Sequence, residues 1–298
     1  MIKKTFLSLP EEFIQPQNAY FHVLPIPFEG AVSFRPGAVR GPDAILDVSD
    51  QMEYIDEKTR RPFWRLGVYT HDPIPPQDSP ALQMETIERY VRNNKLYSPE
   101  RFVIALGGDH SVSGPLIKVA AQTFKDLTVI QFDAHSDLRD QYHPGGKYSH
   151  ASVMARALES VDHLIQIGVR SFSEEDLIRF PKQVDNFITP DDVFERFEQT
   201  VETILMRATT NVYLTFDMDA FDPSVAPGVG TPEPGGLDWR CAVKIIEAIA
   251  AEKNIVAADV VETAPLGGNN VVTEFTAARL VAKIMNAVSM KKIFKSIL

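Results

Sequence analysis

The chain has 298 residues, 44% of them hydrophobic and 23% charged, with a single cysteine and a formal net charge of −10 at pH 7. This fits a globular protein that buries a large core without staples, and the lone Cys241 excludes an intrachain disulfide. The acidic balance disfavours nucleic acid and anionic membranes as partners and favours a cationic one. No run is long and apolar enough to span a bilayer, and the segment Met1–Pro10 lacks a targeting signal, so the expected location is the cytoplasm.

In chain order, short apolar runs alternate with helical patterns. Strands are predicted at Tyr20–Leu24 and Leu66–Tyr69, then a helix at Ala81–Asn93. A strand at Phe102–Leu106 precedes a helix at Gly114–Phe124, and a strand at Thr128–Phe132 precedes a helix at Ala151–Leu158. Strands at Leu164–Ile167 and Asn186–Ile188 lead to a helix at Asp192–Ala208. The pattern closes with a strand at Val212–Phe216, a helix at Arg240–Glu252, a strand at Val256–Val261 and a helix at Thr273–Asn286. Several strands lack polar alternation, as strands buried on both faces do. Alternating β and α implies a mostly parallel sheet of about eight strands with helices on both faces. Pro/Gly-rich stretches at 25–42, 223–236 and 265–268 are short and read as loops at one end of the sheet, so residues 1–298 are expected to form one domain. Cys241 opens a helical pattern and reads as buried and inert.

Three strand ends carry chemistry. Phe132-Asp133-Ala134-His135-Ser136-Asp137 puts three metal-competent side chains at i, i+2 and i+4. Extended backbone there would send them to one side, at the end of a strand where open α/β sheets bind ligands. Asp217-Met218-Asp219 follows another buried strand, and Gly107-Gly108-Asp109-His110 follows a third, its glycines allowing a tight turn. Asp109 reads as orienting the loop rather than as a ligand. Two histidines (His110, His135) and four aspartates (Asp133, Asp137, Asp217, Asp219) balance two divalent ions, and a carboxylate-rich set with some imidazole suits Mn2+. Two ions a few ångströms apart can lower the pKa of a bridging water and polarise a substrate, so hydrolysis by a metal-bridged hydroxide is the expected chemistry.

Gly107-Gly108-Asp109-His110-Ser111, Asp133-Ala134-His135-Ser136-Asp137 and Asp217-Met218-Asp219-Ala220-Phe221-Asp222-Pro223 resemble the three metal motifs of the ureohydrolases, the family of arginase and agmatinase, in order and spacing over nearly the whole chain. The resemblance implies a three-layer α/β/α sandwich with an eight-stranded parallel sheet and a site for two Mn2+ ions. It assigns His110 and Asp137 to one ion, His135 and Asp219 to the other, and Asp133 and Asp217 as bridges. It also implies that His150 shuttles protons and that Glu262 holds the substrate guanidinium. After Glu262 the chain departs from the family pattern: Ala264 stands where an Asn is usual, and the downstream Asp is absent. Ser33–Pro42, Asp137–Tyr142 and Thr231–Leu237 are similar to the agmatinase branch, and an arginase-type loop for an amino-acid head group is not recognisable. The expected reaction is agmatine to putrescine and urea. Guanidinobutyrate, guanidine or arginine as substrate, a single-zinc deacetylase-like hydrolase, and a non-catalytic homologue are the alternatives. The resemblance further implies a homo-oligomer, a trimer or a hexamer.

Overall fold

A computed structural model describes residues 4–30 and 32–295; Met1, Ile2 and Lys3 of the N-terminal segment read above lie outside them. Seven strands form one sheet: β1 (Phe21–Ile26), β2 (Val68–Thr70), β3 (Phe102–Gly107), β4 (Leu127–Phe132), β5 (His163–Ile167), β6 (Asn211–Asp217) and β7 (Asn254–Val261). Their order is β2-β1-β3-β7-β6-β4-β5, and every pairing is parallel. The helices are α1 (Gly41–Ser49), α2 (Pro80–Asn93), α3 (Ser113–Thr123), α4 (Val153–Ala157), α5 (Glu174–Arg179), α6 (Pro181–Val184), α7 (Pro190–Glu195), α8 (Phe197–Arg207), α9 (Trp239–Glu252) and α10 (Val272–Lys295).

The apolar strands feed two cores. Phe102, Ile104 and Leu106 of β3 join a cluster with α1, α8, α9 and α10, whereas Val103 and Ala105 join one with α2, α3 and α4. A period of two on a strand covered on both sides produces this division, so the expected three layers are present.

The sheet has seven strands where about eight were expected. Asn186–Ile188 is not a strand: Ile188 makes one parallel bridge to Ile167. Thr189 caps α7 and Pro190 begins it, which leaves no length for a ladder. The predicted helix Asp192–Ala208 is two helices, because Arg196 leaves helical geometry at φ −136° and ψ 43°. The last helix runs past the predicted Asn286, with Ala287 and Val288 still buried against the sheet. Cys241 is half-buried, and burial with Asp238 alongside pushes its thiol up to about 11, which disfavours the reactive thiolate.

Candidate metal centre

The four central strands, β3, β7, β6 and β4, are neighbours. His110 follows the end of β3, Asp133 the end of β4 and Glu262 the end of β7, while Asp217 is the last residue of β6. Parallel strands bring these four chain segments to one end of the sheet.

Local backbone shapes the site. A Cβ on Gly108 would lie 1.9 Å from the Phe28 carbonyl oxygen, so the turn before His110 needs glycine for close approach, not for a positive φ. The Asp109 carboxylate accepts from Gly30 N–H (3.0 Å) and Ser111 N–H (3.1 Å), tying the loop after β1 to this turn. The Asp133–Asp137 segment is not extended throughout. Asp137 is left-handed, φ +53°, and its carbonyl accepts from the N–H groups of Met154 and Ala155. Glu262 is also left-handed, φ +61°. Left-handed residues other than glycine or Asn are uncommon, and each costs on the order of 1–3 kcal/mol.

The structure brings all six candidate ligands together. His110 Nδ1 lies 3.1 Å from Asp133 Oδ2, 3.1 Å from Asp137 Oδ2 and 3.2 Å from Asp217 Oδ2. This nitrogen is buried and has no hydrogen-bond partner, although three carboxylate oxygens surround it. His135 Nδ1 lies 3.1 Å from Asp219 Oδ2 and 3.5 Å from Asp133 Oδ1. Two three-donor groups result, His110–Asp133–Asp137 and Asp133–His135–Asp219, each with donor atoms within 4.8 Å of one another. Asp133 is common to both. Asp217 presents Oδ2 to His110, and its Oδ1 accepts the Asp219 N–H at 2.9 Å.

The charges of this cluster are crowded. Burial, then Asp133, pushes the Asp137 carboxyl up to about 7. Burial with Asp219 and Asp133 alongside pushes Asp217 well above its usual range. Burial opposes ionisation of Asp133, but His110 and His135 outweigh it and hold that carboxyl low. Burial also opposes charge on His135, yet Asp219 and Asp133 lift the imidazole to about 12. Crowded buried carboxylates around His110 Nδ1, a nitrogen without a hydrogen-bond partner, and around His135 Nδ1 are the donor set of a cation site. The residues present therefore fit a pair of divalent ions.

His150 and Glu262 sit at the edge of the cluster. His150 Nδ1 is 4.0 Å from Glu262 Oε1, and its Nε2 is 3.1 Å from Ser33 Oγ. Burial, with His135 and His110 nearby, lowers His150 to about 4. Glu262 Oε1 accepts the His110 N–H at 2.8 Å, which fixes the carboxylate. A cleft of about 220 Å³ opens here, lined by His135, Asp137 and His150 and walled by Tyr142 and Phe172. Ala264, at the departure from the family pattern, is buried and faces the loop at Gly37.

Sequence reading missed several supports. Arg170 donates to the carbonyls of Asp219 (2.9 Å) and Glu233 (2.8 Å), clamping two loops of the site. Gln131 Nε2 donates to Asp133 Oδ2 at 2.6 Å, and Gln166 Nε2 to Gln131 Oε1 at 2.6 Å. Thr231 Oγ1 donates to Asp219 Oδ2 at 3.2 Å. The available signal was polar residues inside apolar strands, as with Gln131 in Leu127–Phe132 and Gln166 in His163–Ile167.

A sequence model of the Arginase family matches residues 19–286. The chain is 36% identical to an N(1)-aminopropylagmatine ureohydrolase of Synechocystis sp., over 94% of each chain. It is 37% identical to the enzyme of the same name from Thermus thermophilus, over 89% of each. Among solved structures it is similar to the agmatine ureohydrolase of Thermoplasma volcanium, with a TM-score of 0.86 and 29% identity, covering 100% of this chain and 98% of that one.

Proposed function

The chain belongs to the arginase family, and on that premise we propose that it is a metal-dependent amidinohydrolase releasing urea from a guanidino-terminated amine, with agmatine giving putrescine. The observation that carries this reading is Asp133. Its Oδ2 faces His110 and its Oδ1 faces His135, so two donor groups meet at one carboxylate. In the proposal His110 and Asp137 would hold one Mn2+ and His135 and Asp219 the other, with Asp133 and Asp217 as the carboxylates that would serve both. When bound, the pair supplies a water of lowered pKa and polarises the guanidinium carbon.

The chain's own residues do the rest. Glu262, held by the His110 N–H, pairs with the planar guanidinium through charge-assisted hydrogen bonds. His150, held by the Ser33 hydroxyl and neutral near pH 7, relays to the departing nitrogen a proton that it takes up from the attacking water. Arg40 donates to the Pro265 carbonyl at 3.1 Å, which ties the turn before α1 to the segment after Glu262.

A second substrate reading, N(1)-aminopropylagmatine, is supported by the names of the two relatives at 36% and 37% identity. The cleft offers exposed Tyr142 and Phe172, apolar walls suited to a longer amine. The test is urea release by the Mn2+-loaded protein from agmatine, N(1)-aminopropylagmatine, arginine, guanidinobutyrate and guanidine. The expected result is a marked preference for one of the first two, and the ratio of their kcat/KM values assigns the tail. No urea from any of them would sink the enzyme reading. Asp133→Ala is expected to lose both ions and all urea release; full activity in that variant would remove Asp133 from the centre.

A further inference from the structure

Beneath the ligands, polar side chains cross the core between β6 and β7. Alternate residues of β6 share a face, so Tyr213 and Thr215 point the same way as Asp217. The register places Asp259 of β7 directly opposite Thr215. Thr215 Oγ1 donates to Asp259 Oδ1 at 2.6 Å, and Tyr213 OH donates to Asp259 Oδ2 at 2.7 Å. Asp259, Thr215 and Tyr213 are fully buried.

A carboxylate in the middle of an apolar strand is costly, several kcal/mol unless its partners compensate. The fold does not need it there, since the neighbouring positions Ala257, Ala258, Val260 and Val261 build the sheet with apolar side chains. Its distinctive property is that it only accepts hydrogen bonds, which obliges both hydroxyls to donate. A threonine hydroxyl has one proton. Having given it to Asp259, Thr215 Oγ1 must accept from its other near neighbour, His110 Nε2, at 2.9 Å. The contact of Thr215 with Ser113 Oγ is longer, 3.4 Å. His110 therefore carries hydrogen on Nε2. Its Nδ1, the buried nitrogen facing three carboxylates, is then the nitrogen whose lone pair a cation would take.

We propose that Asp259, acting through Thr215, is a positioning residue that fixes the tautomer and the ring orientation of His110 as a metal ligand, with Tyr213 holding the carboxylate in place. This inference rests on the metal-centre reading. Metal ligands are commonly oriented in this way by a carboxylate behind the imidazole; here a threonine hydroxyl lies between the two.

Asp259→Asn tests it, because the amide keeps the shape and adds a donor. The amide can donate to Thr215, whose hydroxyl can then turn toward His110 Nε2 and leave the hydrogen on Nδ1. The experiment is calorimetric titration of the chelator-stripped full chain with Mn2+, beside the melting temperature of the metal-free protein. Asp259→Asn is expected to weaken one of the two Mn2+ sites about 10- to 100-fold, with a smaller effect on the other. Thr215→Val should do the same, and Thr215→Ser, which keeps the hydroxyl, should restore affinity. A merely structural role would lower the metal-free melting temperature and weaken both sites alike. Two sites of wild-type affinity in Asp259→Asn would overturn the proposal. If that variant fails to fold, equal affinity in Thr215→Val and Thr215→Ser overturns it. A wild-type chain that takes up fewer than two ions overturns the metal-centre reading beneath it.

Discussion

Asp137 and Glu262 hold left-handed backbone at two strand-end turns, and both carry carboxylates of the candidate site. Strain of this kind persists only where the surroundings over-determine it. For Asp137 the determinants are the two α4 N–H groups on its carbonyl, and for Glu262 its N–H bonded to the Gly108 carbonyl at 2.8 Å. The six candidate ligands were legible as a set because Asp-x-His-x-Asp after a strand is rare and because Asp-x-Asp and Gly-Gly-Asp-His stand at equivalent strand ends. Their convergence was not legible in detail, since it depends on the turn at Asp137 rather than on strand alternation. Asp259 and Arg170 stayed hidden because their partners come from distant segments: Asp259 meets Thr215 and Tyr213 of β6, and Arg170 the carbonyls of Asp219 and Glu233.

His150 belongs to neither donor group, so its proposed role separates from metal binding. His150→Asn is expected to lower kcat by about 10²- to 10⁴-fold, the usual worth of a positioned acid or base, with Mn2+ content unchanged. Loss of an ion in that variant would move His150 into the metal set.

Elements decide how firmly the strand ends are held. Helix α10 lies across the sheet, and its Lys283 reaches the loop before β2, where Nζ meets Asp56 Oδ2 at 2.7 Å and Glu57 Oε1 at 2.5 Å. Lys283 and Asp56 are buried, with side chains 7% and 4% exposed. Asp56 also accepts the N–H groups of Lys58 and Thr59. Removing one partner of a buried pair strands the other, so Lys283→Met is expected to cost about 3 kcal/mol in a denaturation experiment. Burial opposes ionisation of Asp56, but Lys283 and Thr59 outweigh it and hold its carboxyl below the ordinary range. A depressed carboxyl stabilises the fold above the unfolded pKa of about 3.9 and loses that contribution as pH falls through its folded value. The gap between wild type and Lys283→Met should therefore narrow below about pH 4; a constant gap down to pH 2 would assign the cost to packing instead. The break of the predicted Asp192–Ala208 helix at Arg196 was invisible in periodicity, because α7 and α8 keep apolar residues on compatible faces across it.

For the whole molecule, the alternation of strands and helices was sufficient to predict a parallel sheet covered on both faces. The strand order β2-β1-β3-β7-β6-β4-β5 was not readable, since it is set by long crossovers that no local pattern records. That order matters most for function, because it makes neighbours of the strands ending at His110, Glu262, Asp217 and Asp133. The net charge of −10 complements the cationic substrate class proposed above, and no helix of the described residues is long and apolar enough to cross a membrane.

The proposed pair of ions is tested by measuring metal content and urea release on one sample of the full chain, before and after chelation. The expected result is two Mn2+ per chain, loss of urea release from agmatine or N(1)-aminopropylagmatine when both are stripped, and its return on adding Mn2+ alone. One zinc per chain with no urea from either compound would contradict it.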